Sequence, residues 1–391
     1  MTLIVHSARV VDDGVVTENG WVRVAEGRVA ASGTGDSWRA SVSPETTVVD
    51  AAARAGAGAA LTAGFIDLHG HGGGGRAYED GVDAIRTARA LHRAHGTTRA
   101  VISLVTAPLH DLAARVRLVA DLTRTDADVL GSHLEGPFLD PGHRGAHDGD
   151  LLRAPAPDAL DRLLDAGAGT IRQVTLAPEL AGGLDAVRRV VEHGAAAAIG
   201  HTAAAAATAA AAFDAGATIL THAFNAMPGL HHRSPGPVGA ALADDRITLE
   251  VIADGVHLHP IIVRMLCATA PGRIALVTDA MAAAGAPEGD YLLGGLDVTV
   301  RGGEVRIAGT DTIAGSTLTQ DAALRVAVGA GVPLAVAVQA LTTTPAQAIG
   351  RADLGRLVPG ALGDLVLLSD DLRVHGVWTA GVPDRGAASR S

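Results

Sequence analysis

The chain contains no lysine; all 31 of its basic side chains are arginine. That absence excludes a Walker-type phosphate loop, Schiff-base aldol chemistry and a metal pair bridged by a carboxylated lysine. A single cysteine, Cys267 in Arg-Met-Leu-Cys-Ala, rules out an internal disulfide framework and reads as helix filling. Aromatic residues are few (4 Phe, 3 Trp, 2 Tyr) and the net charge is −11, so neither the stacking rings nor the basic balance of a nucleic-acid binder is present. No apolar run is long enough to span a membrane. The alanine-dense stretch 195–212 is interrupted by His201 and Thr202 and reads as a soluble helix of high propensity. Met1–His6 lacks a basic start and a sustained apolar run, so no signal peptide is expected. These absences point to a soluble, cytoplasmic, globular protein with no nucleic-acid or membrane partner, whose 391 residues can bury a large core.

What is present divides into three zones. Residues 1–58 hold short β-type runs (Leu3–Val11, Trp21–Ala31, Thr46–Val49) separated by Gly, Asp and Ser, and residues 355–391 repeat that texture with Asp364–Leu368 and Val374–Thr379. The two ends predict one small β-sandwich domain built from both termini. Between them, 59–354 alternates apolar runs with Ala/Leu/Arg-rich stretches such as Gly81–His95 and Asp158–Ala166. The runs are Ala63–Leu68, Arg99–Thr106, Val129–Leu134, Ile171–Ala177, Ala195–Gly200, Thr218–Thr221, Thr248–Ala253 and Ile274–Thr278, followed by a trailing helical region. Eight such units close a parallel (β/α)8 barrel, the TIM-barrel architecture.

The placement of unusual side chains separates a barrel from an open, doubly wound sheet. His69 and His71 follow the first run, Glu135 the third, His201 the fifth, His222 the sixth and Asp279 the eighth. Each stands at the C-terminal end of its strand. A barrel gathers those ends at one mouth, whereas an open sheet would spread them too far apart to meet. His69 and His71 flank Gly70 in an extended segment, so both imidazoles face one way. Gly70, Gly72 and Gly75 match the dinucleotide-binding glycine spacing, but no helix begins immediately afterwards and the acidic partner is missing. Together the histidines and carboxylates make a catalytic centre for a divalent metal; nitrogen and oxygen ligands without cysteine suit zinc, with iron or another first-row divalent ion as alternatives.

The series Gly-Phe-Ile-Asp-Leu-His-Gly-His71, His133-Leu-Glu-Gly-Pro-Phe138, Arg144-Gly-Ala-His147, Gly200-His-Thr202, Thr221-His-Ala-Phe-Asn-Ala-Met227, Asp254-Gly-Val-His257 and Thr278-Asp-Ala-Met281 resembles the N-acetylglucosamine-6-phosphate deacetylases of the amidohydrolase superfamily. The resemblance covers essentially the whole chain. It implies a metal-bearing barrel joined to a small β-sandwich. It also implies hydrolysis of the acetamide of a phosphorylated amino sugar, in amino-sugar catabolism and cell-wall sugar recycling. By resemblance, Glu135, His201 and His222 hold the principal ion, and His69 and His71 build a second site with Glu135 bridging and Asp279 nearby. Asp279 is then the general base and acid, and His147 polarises the acetyl carbonyl. Arg233, His257 and the backbone N–H groups of Asn225 and Ala226 contact the 6-phosphate. Arg233 comes from a neighbouring subunit, implying a homodimer, and Ile313 packs near the acetyl group. The loop Leu139–Arg144 is less typical of the family.

Three other readings are weaker. A cyclic amidase of the hydantoinase kind needs the absent lysine. A non-catalytic barrel acting as a binding scaffold would have lost ligands. A phosphosugar isomerase has no use for so many histidines at strand ends.

Overall fold

The computed structural model describes residues 1–384, so 385–391 of the expected terminal domain lie outside the described residues. Its central sheet has eight parallel strands in chain order: Phe65–Asp67, Thr97–Val105, Val129–Glu135, Ile171–Leu176, Ala196–Ile199, Ile219–Leu220, Thr248–Ile252 and Ile274–Val277. These fall on the eight apolar runs of the sequence. They are buried almost throughout, as a parallel sheet covered on both faces requires. A helix follows each strand: Val82–Ala94, Leu109–Leu122, Pro157–Ala166, Gly183–Glu192, Ala206–Asp214, Gly236–Leu242, Pro260–Thr269 and Gln320–Gly329. In the first, Ala84, Ile85, Ala88 and His92 are buried at helical spacing, which is the stripe that seats the helix on the barrel.

Strand pairing runs from the first strand to the eighth, and among the described residues no ladder joins those two to each other. Side chains close the seam. Gln320 Nε2 donates to Ile66 O (2.8 Å) and Leu276 O (3.2 Å), while its Oε1 accepts from Thr97 Oγ1 (2.9 Å). Nearer the mouth, Thr278 donates through its hydroxyl (2.6 Å) and its N–H (3.2 Å) to the Asp67 carboxylate, and Asp279 N–H donates to His69 O (2.8 Å). Backbone groups that an open seam would leave unpaired are thereby satisfied.

The termini build a second sheet around Thr2–Asp12. That strand pairs antiparallel with Val15–Ala25 and parallel with both Thr46–Asp50 and Ala60–Ala63 along successive halves. Leu365–Leu368 pairs with Ala60–Ala63 and brings in Val374–Thr379. Leu3, Val5, Val22, Val24, Leu61, Leu365, Leu367 and Trp378 form its core. Arg99 ties this sheet to the barrel through a two-pronged pair with Asp364 (2.6 and 3.0 Å).

Three expectations are corrected. Trp21–Ala31 is not one strand: a tight turn at Glu26-Gly27, both with positive φ, splits it into Val15–Ala25 and Arg28–Thr34. The alanine-dense stretch is not one helix, because Ala196–Ile199 is a barrel strand and the helix spans Ala206–Asp214, with His201 and Thr202 at the break. The trailing helical region opens with a three-stranded antiparallel sheet: Gly289–Leu293, Leu296–Arg301 and Glu304–Ile307. Glycine pairs 294–295 and 302–303, all with positive φ, make its turns, and Leu293, Val298, Val300 and Val305 pack with Val105 and Met281 of the barrel mouth. No helix among the described residues is long and apolar enough to cross a membrane.

Candidate metal centre and active site

The backbone bends sharply where the barrel strands end, and the bends aim the functional side chains. His201 (φ 48°), His222 (φ 26°) and Asp279 (φ 48°) all adopt the left-handed region that L side chains avoid. Such strain persists only where the surrounding structure enforces it, and here it falls on residues at the barrel mouth. After Glu135 the chain turns through Gly136 (φ 87°), where a Cβ would come within 2.3 Å of Thr106 Oγ1; only glycine fits.

The structure brings His69, His71, Glu135, His147, His201, His222 and Asp279 together. Glu135 lies at the centre: Oε1 is 3.1 Å from His201 Nε2, 3.2 Å from His222 Nε2 and 3.3 Å from His69 Nε2. Its Oε2 is 3.3 Å from His71 Nε2 and 3.5 Å from His147 Nε2. Asp279 Oδ1 lies 3.0 Å from His71 Nε2 and 3.5 Å from His69 Nε2. Two donor groups emerge, His69–His71–Asp279 and Glu135–His147–His201, with His222 Nε2 only 3.0 Å from His201 Nε2.

This donor set fits a divalent cation. His69 and His71 meet through their Nε2 atoms (3.2 Å), as do His201 and His222. His69 Nδ1 faces a carboxylate oxygen of Glu250 (3.1 Å), and His201 Nδ1 donates to His143 O (2.9 Å). Protons held on Nδ1 leave Nε2 lone pairs directed inward, the arrangement in which imidazole ligates a metal. The loop 139–144 helps to hold that arrangement, gripping His201 through His143 O and through the Asp140 N–H, which donates to His201 O (2.9 Å).

The electrostatics point the same way. Burial works against charge on His69 and His71, yet the carboxylates of Glu135 and Asp279 outweigh it, raising both and pushing His71 up to about 9. Burial alone would raise Glu135 and Asp279; the clustered imidazoles instead hold both below the usual carboxylate range. Burial drives His147 down to about 4, so that ring is neutral. A site that pulls protons onto buried imidazoles is one that attracts cations.

Above this floor opens a cavity of about 440 Å3, within the usual range for small-molecule sites. His257, Asn225, Ala226 and Ile313 line it, as do His143 and Gly142. His257 Nδ1 is paired with Asp254 Oδ2 (2.7 Å), which raises its pKa against the opposing effect of burial. The Asn225 N–H donates to His222 O (2.9 Å), and its side-chain Nδ2 donates to His222 O (3.2 Å) and Ala223 O (3.4 Å). Arg233 stands apart on an exposed loop, its Nη1 2.7 Å from His232 Nε2, and does not line the cavity.

Sequence reasoning missed two contributions. Leu293, Asp311 and Thr312 reach the cavity from the three-stranded insert and the segment after it, whose short β runs were masked by the expected helices. Beneath the histidines, Glu250, Gln173, His133, Ser103, Thr175 and Thr221 form a wholly buried polar layer. Its sequence signals were His133, inside the His-Leu-Glu-Gly-Pro-Phe motif but given no role there, and a charged Glu250 inside an otherwise apolar strand.

The amidohydrolase family profile matches residues 60–383. Among curated proteins, N-acetylgalactosamine-6-phosphate deacetylase of Escherichia coli O157:H7 is 39% identical, covering 94% of this chain and 96% of the relative. N-acetylglucosamine-6-phosphate deacetylase of Vibrio furnissii is 35% identical, with 82% of each chain covered. Among solved structures, a point mutant of the N-acetyl-D-glucosamine-6-phosphate deacetylase of Mycobacterium smegmatis, in complex with N-acetyl-D-glucosamine-6-phosphate, superposes with a TM-score of 0.89 at 42% identity over 98% of each chain. Matched over most of its length by the profile, and by relatives identical at more than a third of the aligned positions, the chain belongs to the amidohydrolase family.

Proposed function

We propose that this chain is a metal-dependent deacetylase that hydrolyses the acetamide of N-acetylglucosamine 6-phosphate to glucosamine 6-phosphate and acetate. The observation that carries the reading is the convergence of five histidines and two carboxylates at the cavity floor. The chain's similarity along nearly its whole length to hexosamine-6-phosphate deacetylases supports it. Glu135, His201 and His222 hold one divalent ion. His69, His71 and Asp279 would hold a second, with Glu135 between the two groups. Zinc suits these ligands, with iron or another first-row ion as the alternative. A bound ion supplies Lewis acidity, lowering the pKa of water toward about 7 and polarising the acetamide carbonyl.

The chain's own residues do the rest. Asp279, kept ionised by its imidazole neighbours, takes a proton from the attacking water and returns it to the leaving nitrogen, which departs as an amine only when protonated. His147 Nδ1 is hydrogen-bonded to Thr106 Oγ1 (2.9 Å), which orients the ring; with its hydrogen on Nε2 it can bond the carbonyl oxygen as negative charge develops. Ile313 packs against the acetyl methyl. His257, with Asp254 favouring its charged form, and Asn225 and Ala226 take the phosphate end.

A dianionic phosphate needs more positive charge than these residues give. The cavity lining includes no arginine among the described residues, and the chain has no lysine. Arg233, on an exposed loop outside the cavity of its own chain, is therefore proposed to serve the cavity of a second copy, with a homodimer as the working unit. Sugar phosphates do not cross a bilayer unaided, so the activity belongs in the cytoplasm.

The test is acetate release from N-acetylglucosamine and N-acetylgalactosamine, each with and without a 6-phosphate; both epimers are included because deacetylases of both are similar to this chain. The expected result is turnover of a phosphorylated sugar with a strong kcat/KM preference over its unphosphorylated form. Release from neither phosphosugar, or no preference for the phosphate, would overturn the reading, and release from N-acetylgalactosamine 6-phosphate alone would overturn the choice of epimer.

A further inference from the structure

Glu250 is the third residue of the seventh barrel strand, Thr248–Ile252, and its side chain points into the barrel beneath the metal ligands. It is 0% exposed. Burying such a carboxylate is costly unless its oxygens are matched. They are matched by N–H groups: Gln173 Nε2 donates to Oε1 (2.8 Å), and Oε2 receives His69 Nδ1 (3.1 Å) and the backbone N–H of His222 (3.4 Å). The next imidazole in this layer, His133, is taken up by Ser103 Oγ (2.9 Å) at Nδ1 and Thr175 Oγ1 (2.8 Å) at Nε2, and its ring lies edge-on to His69. Of the four histidines whose Nε2 atoms converge on Glu135 Oε1 or Asp279, His69 alone has its Nδ1 against a side-chain carboxylate. His201 uses a backbone carbonyl, and the Nδ1 atoms of His71 and His222 have no hydrogen-bond partner.

We propose that Glu250 is a positioning residue that sets occupancy of the His69–His71–Asp279 site. It fixes the His69 proton on Nδ1, so that the Nε2 lone pair faces the ion. It also sets a buried carboxylate behind the site that His69, His71 and Asp279 form. This rests on the reading that the centre holds two ions. It goes further in assigning the second ion's affinity to a residue that touches neither ion nor substrate.

The test is zinc titration of the full chain, wild type against Glu250→Gln, with stoichiometry by elemental analysis and stepwise affinities by competition with a chelator. Glutamine keeps the volume. The orphaned Gln173 Oε1 can turn to accept from the new amide, whose oxygen then stays against His69 Nδ1, so the variant should fold with a melting temperature close to wild type while the carboxylate becomes a neutral, weaker acceptor. The expected result is an unchanged first ion and a second ion weakened roughly 10- to 100-fold, the usual cost of mutating such a partner. A second ion bound as tightly as in wild type overturns Glu250's role and leaves the two-ion centre standing. Equal weakening of both ions also overturns it, since that marks a merely structural residue. A wild-type chain that takes up only one ion overturns both. Should the variant fail to fold, nitrogen NMR of histidine-labelled, zinc-loaded wild type decides. A protected proton on His69 Nδ1 supports the assignment, and a His69 Nδ1 without a proton refutes it.

Discussion

The assignment of Arg233 to a neighbouring cavity makes an arithmetic prediction. Arg233→Ala removes a charged hydrogen-bonding partner of the phosphate, a loss of roughly 10- to 150-fold in kcat/KM. Asp279→Asn silences the chemistry of its own cavity. If each cavity takes its arginine from the other subunit, a dimer of one Arg233→Ala chain and one Asp279→Asn chain has one intact cavity, with Asp279 from the first and Arg233 from the second. The other cavity lacks both. Random reassociation of equal amounts makes about half the dimers mixed, each with one working cavity of two, so the mixture should recover about a quarter of wild-type kcat/KM. The exposed loop 229–235 and the arginine-free cavity lining are what motivate the design. Acetate release at substrate well below KM, before and after denaturing and refolding the two variants together, measures it. Mixed samples no more active than the average of their parents would refute the crossing, because an arginine acting within its own chain leaves no dimer with a complete cavity.

Other expectations are simpler. Asp279→Asn should lower kcat by about 10²- to 10⁴-fold while the Glu135–His201–His222 ion is retained, as checked by steady-state rates and metal analysis; undiminished turnover would remove Asp279 from its role. In the metal-free chain His71 is raised from 6.5 to about 9, so its proton favours the fold fully below 6.5 and that contribution is lost as pH climbs through 9. An incoming ion must displace the same proton, so affinity for the His69–His71–Asp279 site should rise with pH up to about 9, with proton release measurable by calorimetry in buffers of different ionisation enthalpy. Affinity that is flat from pH 6 to 9 would contradict this. Gln320→Leu should cost about 3 kcal/mol or more in urea unfolding, because it strands the carbonyls of Ile66 and Leu276 and the Thr97 hydroxyl at the barrel seam. A cost below about 1 kcal/mol would show that the seam closes without it.

The parts of this molecule that were legible beforehand are those where one physical pattern dominates. Buried parallel strands must be apolar along their length, so Val129–Glu135 and Ile274–Val277 announce themselves, and the polar residue ending each run marks the barrel mouth. Hence the histidines and carboxylates could be gathered before any distance was known. Glu250 was hidden because it interrupts a strand from inside, where a lone charge carries no periodic signal; only three-dimensional proximity to His69 gives it meaning. The insert at 289–307 was hidden for a different reason. Its short strands carry modest alternation and its glycine pairs resemble loop, so packing against Val105 and Met281, rather than propensity, decides its form. Gln320 was equally invisible, since a helix-terminal glutamine looks like surface until the two strand edges it bridges are seen.

The central claim is that the residues at the barrel mouth work as a metal-dependent amide hydrolase. The most direct measurement is acetate release from N-acetylglucosamine 6-phosphate after exhaustive chelation, followed by stepwise return of zinc. The account predicts that the stripped protein remains folded but inactive, and that activity returns in proportion to the ion bound. Full activity in protein shown by elemental analysis to be free of metal would contradict it.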